Sequence, residues 1–157
     1  MARGRLIIVC GLPGSGKTTI ATRLAEQFGG TRFDPDAWLD MLGLDIWDEN
    51  RRARIEALQW QLAQEFLKLG GTAIIEWGTW GRTERDRLRE GARALGAAVE
   101  LIHLDAPADL LFERVSRRNR ETPPITREQV DGWAATFQAP TVEEFALFDP
   151  PTEPLPQ

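Results

Sequence analysis

The chain has 157 residues, 42% hydrophobic and 27% charged, which suits one domain with a real core and excludes a disordered or fibrous chain. Its formal net charge of −5 disfavours a globally basic nucleic-acid binder, although arginines cluster between Arg114 and Arg120. The single cysteine, Cys10, excludes an intramolecular disulfide and a cysteine-only zinc cluster, and within Leu6-Ile7-Ile8-Val9-Cys10 it reads as a small buried hydrophobe.

Short apolar runs alternate with helical patterns along the chain. Arg5 to Cys10 reads as a buried strand, followed by a glycine-rich turn and a helix over about Lys17 to Phe28. Thr31 to Asp34 is a brief second strand. Asp34 can cap the next helix, with Pro35 at its first position, where a missing N–H is harmless. From Arg51 to Leu69, the residues Ile55, Leu58, Leu62, Phe66 and Leu69 recur at spacings of three and four and predict a helix with one apolar face, ended by Gly70-Gly71. Thr72 to Trp77 is a third strand. Thr83-Glu84-Arg85-Asp86 resembles a capping box opening a helix to about Leu95, and the alternating charges from Arg82 to Glu90 read as its solvated face.

Ala98 to Leu104 is a fourth strand, and Pro107 starts a helix reaching about Arg118. Thr126-Arg127-Glu128-Gln129 is a second capping-box pattern before a short helix containing Trp133. A last weak strand is expected within Phe145 to Phe148, and the tail from Pro150 to Gln157 is too proline-rich to pack. This alternation predicts an α/β fold of three layers, with a central parallel sheet of four or five strands flanked by helices. Residues 1–149 form the expected domain and 150–157 a proline-rich tail. No apolar run approaches the ~18 residues that span a bilayer, and the N-terminus lacks the apolar stretch of a secretory signal, so the expected location is cytoplasmic, without a membrane partner.

Gly11-Leu12-Pro13-Gly14-Ser15-Gly16-Lys17-Thr18 matches G-x-x-x-x-G-K-[ST] in full and lies between a predicted strand and a predicted helix. Such a loop curls so that successive N–H groups converge on phosphate oxygens at a helix N-terminus. Gly11, Pro13, Gly14, Ser15, Gly16, Lys17, Thr18 and Thr19 are therefore the expected binding residues for ATP or GTP. Lys17 would reach the β- and γ-phosphates and the Thr18 hydroxyl would bind Mg²⁺. Glu76 ends an apolar strand, where a carboxylate suits either the Mg²⁺ shell or a contact to the phosphate acceptor.

The phosphate loop, the early Asp36, the strand-end Glu76 and the arginines from Arg114 to Arg120 resemble the small P-loop kinases. These are AAA-type ATP-binding proteins that include the kinase domain of polynucleotide 5′-kinase, chloramphenicol phosphotransferase, the zeta toxins and gluconate kinase. The resemblance implies a P-loop NTPase fold and ATP-dependent transfer of the γ-phosphate to a hydroxyl. Asp36 occupies the place of the carboxylate that activates the acceptor hydroxyl in polynucleotide kinase. That relative has an arginine where this chain has Leu39, a departure that weakens the case for a polynucleotide acceptor. The arginines would belong to a lid over ATP, with Arg118 on the moving phosphoryl group and Arg114 on the nucleotide.

Six tryptophans and no tyrosine mark the chain. Trp38, Trp47, Trp77 and Trp80 follow strands two and three, accompanied by Asp36, Asp40, Asp45, Asp48 and Glu76. Trp38 and Trp80 are the leading candidates for the acceptor pocket, and Trp60 and Trp133 read as core. Aromatic faces with carboxylates suit a cationic or polyhydroxylated small molecule. His103, the lone histidine, reads as a buried or edge residue. The leading expectation is a small-molecule kinase. The alternatives are a 5′-hydroxyl nucleic-acid kinase and a nucleotide-binding ATPase without a dedicated acceptor.

Overall fold

A computed structural model describes residues 2–152. The last five residues of the expected tail, 153–157, lie outside the described residues. In chain order the elements are β1 (Arg5–Cys10), α1 (Lys17–Phe28), β2 (Thr31–Phe33), α2 (Pro35–Met41), α3 (Glu49–Lys68), β3 (Thr72–Gly78), α4 (Arg82–Ala94), β4 (Ala98–His103), α5 (Ala108–Arg118), α6 (Arg127–Thr136) and α7 (Val142–Phe145).

The four strands form one parallel sheet in the order β2-β3-β1-β4. β1 is central, pairing Leu6 with both Ala73 and Val99, so its side chains are buried on both faces. Side chains alternate between those faces. Leu6, Ile8 and Cys10 join the core beneath α3 and α4, whereas Ile7 and Val9 meet Ala21 and Leu24 of α1. Burial pushes the Cys10 thiol up to about 11, in keeping with an unreactive core residue. A third apolar cluster, with Leu12, Leu111, Val115, Ile125 and Val130, seats α5, α6 and the connection between them. Among the described residues no helix is long and apolar enough to cross a membrane.

Four local expectations need correction. On α3 the buried side chains are Ile55, Gln59, Ala63 and Leu67, while Leu58, Leu62, Phe66 and Leu69 are 38–72% exposed. The helix is turned so that small Ala63 faces the core and Gln59, fully buried, accepts a hydrogen bond from Trp77 Nε1 at 2.8 Å. The Thr83 box does not cap α4: the helix starts at Arg82 after Gly81, and the N–H of Arg82 donates to the distant Gln138 side chain, Oε1, at 2.8 Å. The face of α4 read as solvated carries Arg85, which is 1% exposed. Finally, the segment expected as a last strand forms α7 and its exit, because Thr141 caps Glu144 N. Phe148 then enters the main core, and Asp149 binds Val99 through both its N–H and its carboxylate. The capping box at Thr126 and Gln129 forms as the pattern suggests, with both reciprocal bonds.

Candidate active site

The turn after β1 is shaped by its glycines. Gly14 has φ +85°, and a Cβ there would stand 2.8 Å from the Leu111 carbonyl oxygen, so a side chain would collide with backbone. Gly16, at φ +97°, directly precedes α1, whose first amides have no partner within the helix and no side-chain cap from Gly16. Lys17 Nζ donates to the carbonyls of Gly11 at 2.9 Å and Leu12 at 3.0 Å, which holds its charge inside the loop. Burial lowers the Lys17 pKa to about 8, against the opposing pull of Glu76 and Asp36. An arriving polyphosphate would supply the counter-charge that favours the protonated amine.

Thr18 Oγ1 donates to Glu76 Oε1 at 2.7 Å, so the first turn of α1 and the end of β3 meet at one point. Glu76 is 4% exposed and also accepts from Arg32 Nη1 at 3.0 Å, an arginine of β2 that sequence reasoning missed. Burial raises the Glu76 pKa and nearby Asp34 adds to the rise, while the bonds from Thr18 and Arg32 oppose it. Asp34 itself caps α2, accepting from Asp36 N at 2.9 Å. That cap leaves the Asp36 carboxylate directed elsewhere.

Asp36 is gripped by two arginines. Its Oδ1 accepts from Arg52 of α3, and its Oδ2 accepts from Arg120 Nη2 at 2.7 Å. No sequence pattern joins either arginine to Asp36. Arg120 lay inside the recognised arginine cluster, but Arg52 had no local signal. Leu39, where the polynucleotide kinase pattern has an arginine, is fully buried in the core. Positive charge therefore reaches Asp36 from α3 and from the segment after α5.

These groups line one cleft of about 800 Å³ at the carboxyl ends of the strands, the usual place for ligands of open α/β sheets. Pro13, Gly14, Gly16, Lys17, Thr18 and Thr19 lie on its wall, together with Asp36, Glu76, Arg114 and Arg118. Gly11 and Ser15 do not line it: a Cβ on Gly11 would press on Ser15 Oγ at 2.5 Å, and the pair shapes the loop from within. Arg114 Nη1 donates to the Gly14 carbonyl at 3.1 Å, and Arg118 Nη2 to Glu121 Oε1 at 2.6 Å.

The aromatic wall differs from expectation. Trp38 packs against the main core and does not line the cleft, so its acceptor role is withdrawn. Trp80 does line it, alongside Trp47, Trp77 and Trp133. Trp133, expected in the core, bridges Trp80 at 5.8 Å and Trp47 at 6.5 Å between ring centroids. Trp60, also expected there, is half-buried against the main core. Trp47 Nε1 also donates to the Pro123 carbonyl at 3.1 Å, tying the loop before α3 to the segment after α5. Asp40, Asp45 and Asp48 stay out of the cleft; Asp45 and Asp48 accept from the backbone of Trp47 and Arg51. Beyond Asp36 and Glu76, the acidic lining comes instead from Asp34, Glu49, Glu56, Glu84 and Glu121. His103 is a partly buried residue stacked on Phe137 at 5.4 Å.

A family model described as an AAA domain matches residues 6–140. The chain is 28% identical over 147 residues to a gluconokinase of Gluconobacter oxydans, across 89% of this chain and 79% of that protein. It is 32% identical over 154 residues to a shikimate kinase of Xanthomonas campestris pv. campestris, across 89% of this chain and 78% of that one. In structure it resembles a chain of the Pnkp1/Rnl/Hen1 RNA repair complex, with a TM-score of 0.72 at 20% identity, covering 95% of this chain and 47% of that one; this likeness speaks for the fold alone. Loop, cleft and relatives agree: the chain belongs to the AAA domain family and is a P-loop kinase.

Proposed function

We propose that this kinase transfers the γ-phosphate of ATP to a hydroxyl of a small polyhydroxylated acid. The observation that carries this reading is the placement of Asp36 between Arg52 and Arg120, in the same cleft as Lys17 and Thr18. Two guanidinium forks beside the acceptor position suit a carboxylate, which arginine binds through paired N–H donors. Of the two expected acceptor types, cationic or polyhydroxylated, those arginines weigh against the cationic one. The polyhydroxylated one is supported by Glu56 and Glu84, which offer acceptors for hydroxyls, and by Trp77 and Trp80, which offer apolar faces. The gluconokinase and shikimate kinase relatives are named for substrates of this class, hydroxylated monocarboxylic acids.

In this mechanism Asp36 takes the proton of the attacking hydroxyl as its oxygen bonds to the γ-phosphorus and the bond to the β-phosphate oxygen breaks. Lys17 and Arg118 spread the charge of the transferring group, and Arg114 holds the nucleotide side. Contact between the Thr18 hydroxyl and Glu76 fits a Mg²⁺ bound through one or two protein oxygens, phosphates and water. Such an ion would supply charge neutralisation for the phosphates.

The test is coupled ATP turnover with D-gluconate, shikimate, D-glucose and a 5′-hydroxyl oligonucleotide as separate acceptors. Stimulation by a hydroxy acid, with little from neutral glucose, is the expected result. Phosphorylation of the oligonucleotide alone would overturn the reading.

A pH dependence follows from Glu56. Burial, then repulsion from Glu84, pushes its carboxyl up to about 7, with Arg52 opposing and Glu49 and Asp36 adding to the rise. It is therefore mostly neutral at pH 6 and mostly ionised at pH 8, where it adds negative charge beside Arg52. The KM for an anionic acceptor should rise roughly three- to tenfold between those pH values, the size of one weakly screened charge interaction. Glu56→Gln should flatten that rise, and a profile identical to wild type would remove Glu56 from the acceptor site.

A further inference from the structure

We propose that Arg85 is a positioning residue for the acceptor: its buried guanidinium holds the turn after β3 in the conformation that presents Trp80 to the cleft. The proposal rests on the acceptor lying against that turn, as in the function proposed above.

The turn is strained. Thr79 has φ +46°, and among the described residues the only other non-glycine with positive φ is Asn119. Asparagine tolerates that region, but a β-branched residue there is a genuine outlier that persists only where surrounding bonds impose it. Those bonds converge on Arg85. Its Nη1 donates to the Thr79 carbonyl at 2.7 Å, and its Nη2 to the Gln138 carbonyl at 2.7 Å. Nε and Nη2 form a fork onto Glu144 at 2.7 and 3.0 Å, and both charged side chains are 1% exposed. Gln138 completes the tie, its N–H donating to the Trp80 carbonyl at 2.9 Å.

The same turn is crowded on its cleft side. A Cβ on Gly78 would stand 2.8 Å from Trp80 Nε1, and the Trp80 ring lies against Trp133. Thr79 and Trp80 both line the cleft, whereas Arg85 and Glu144 do not. Arg85 thus acts on the acceptor only through the backbone it fixes. Lysine can keep the charge but cannot reach Glu144 and two carbonyls at once. Released from Arg85, Thr79 should relax toward negative φ and swing Trp80 away from Trp133.

The test compares wild type, Arg85→Lys and Arg85→Lys/Thr79→Asn by crystallography and by steady-state kinetics with D-gluconate, shikimate and ATP. In R85K the expected result is a displaced Trp80, a rise of roughly tenfold or more in acceptor KM, and an ATP KM within about twofold of wild type. Asparagine at position 79 accepts the left-handed conformation without the imposed bonds. The double variant should therefore return Trp80 to Trp133 and restore most of the acceptor KM. If R85K is too unstable to purify, Glu144→Gln, which weakens the fork at constant shape, should show the same displacement and KM split at smaller size. A lowered Tm with Trp80 in place and both KM values unchanged would reduce Arg85 to a structural ion pair and overturn the proposal. If wild type phosphorylates neither acid yet R85K displaces Trp80 and the second substitution restores it, the acceptor class is wrong and the positioning role stands.

Discussion

Asp36→Asn should lower the phosphate-transfer rate by roughly 10²–10⁴-fold, the usual worth of a positioned general base. Asparagine preserves the shape of the side chain and can still accept one bond from Arg52 or Arg120, but it cannot take up the hydroxyl proton. The hydrogen bonds of Lys17 and Thr18 do not involve Asp36, whose pull on the Lys17 charge is secondary to burial and to Glu76, so ATP affinity should stay within about threefold of wild type. Single-turnover transfer from labelled ATP, beside a direct binding titration, separates the two quantities. Transfer at the wild-type rate would remove Asp36 from the chemistry. A loss of ATP binding as large as the loss of transfer would assign it to nucleotide binding instead.

Glu144→Ala should destabilise the fold by about 3–5 kcal/mol, because it leaves the Arg85 guanidinium buried without its anion. Other ion pairs sit at the surface; Lys68–Glu65, for instance, joins side chains 52% and 61% exposed. Deleting such a pair should change stability by no more than about 1 kcal/mol. Arg85 and Glu144 are each 1% exposed, and water cannot replace the lost carboxylate without opening the packing of α4 against α7. For a domain of this size the expected fall in Tm is roughly 10–15 °C. Thermal unfolding of Glu144→Ala beside Glu65→Ala measures the contrast, and similar Tm values for both would contradict the buried-pair reading.

The parts of the molecule legible in the sequence were those whose cause is local. β1 and the loop behind it span fourteen consecutive residues from Arg5 to Thr18, and a run of apolar residues followed by closely spaced glycines can form little else. The boundaries of α1, the cap at Asp34 and the capping box at Thr126 depend on neighbours within three residues. Periodicity placed α3 but misjudged its buried face. A stripe of large apolar residues cannot say whether the sheet will accept leucine or require Ala63 and a hydrogen-bonding Gln59.

Which charges face one another followed from the packing of distant segments. Asp36 meets Arg52 sixteen residues away and Arg120 eighty-four residues away, and Arg85 meets Glu144 across fifty-nine. Local pattern sufficed for a nucleotide-phosphate loop on a parallel sheet. The charges of the acceptor side, and the exchange of Trp38 for Trp133 on the cleft wall, were settled by how α3, α6 and the C-terminal segment pack around that loop. The physical reason is reach: a hydrogen bond or an apolar period reports on residues a few positions apart, whereas ion pairing and ring packing act wherever the fold brings side chains within a few ångströms.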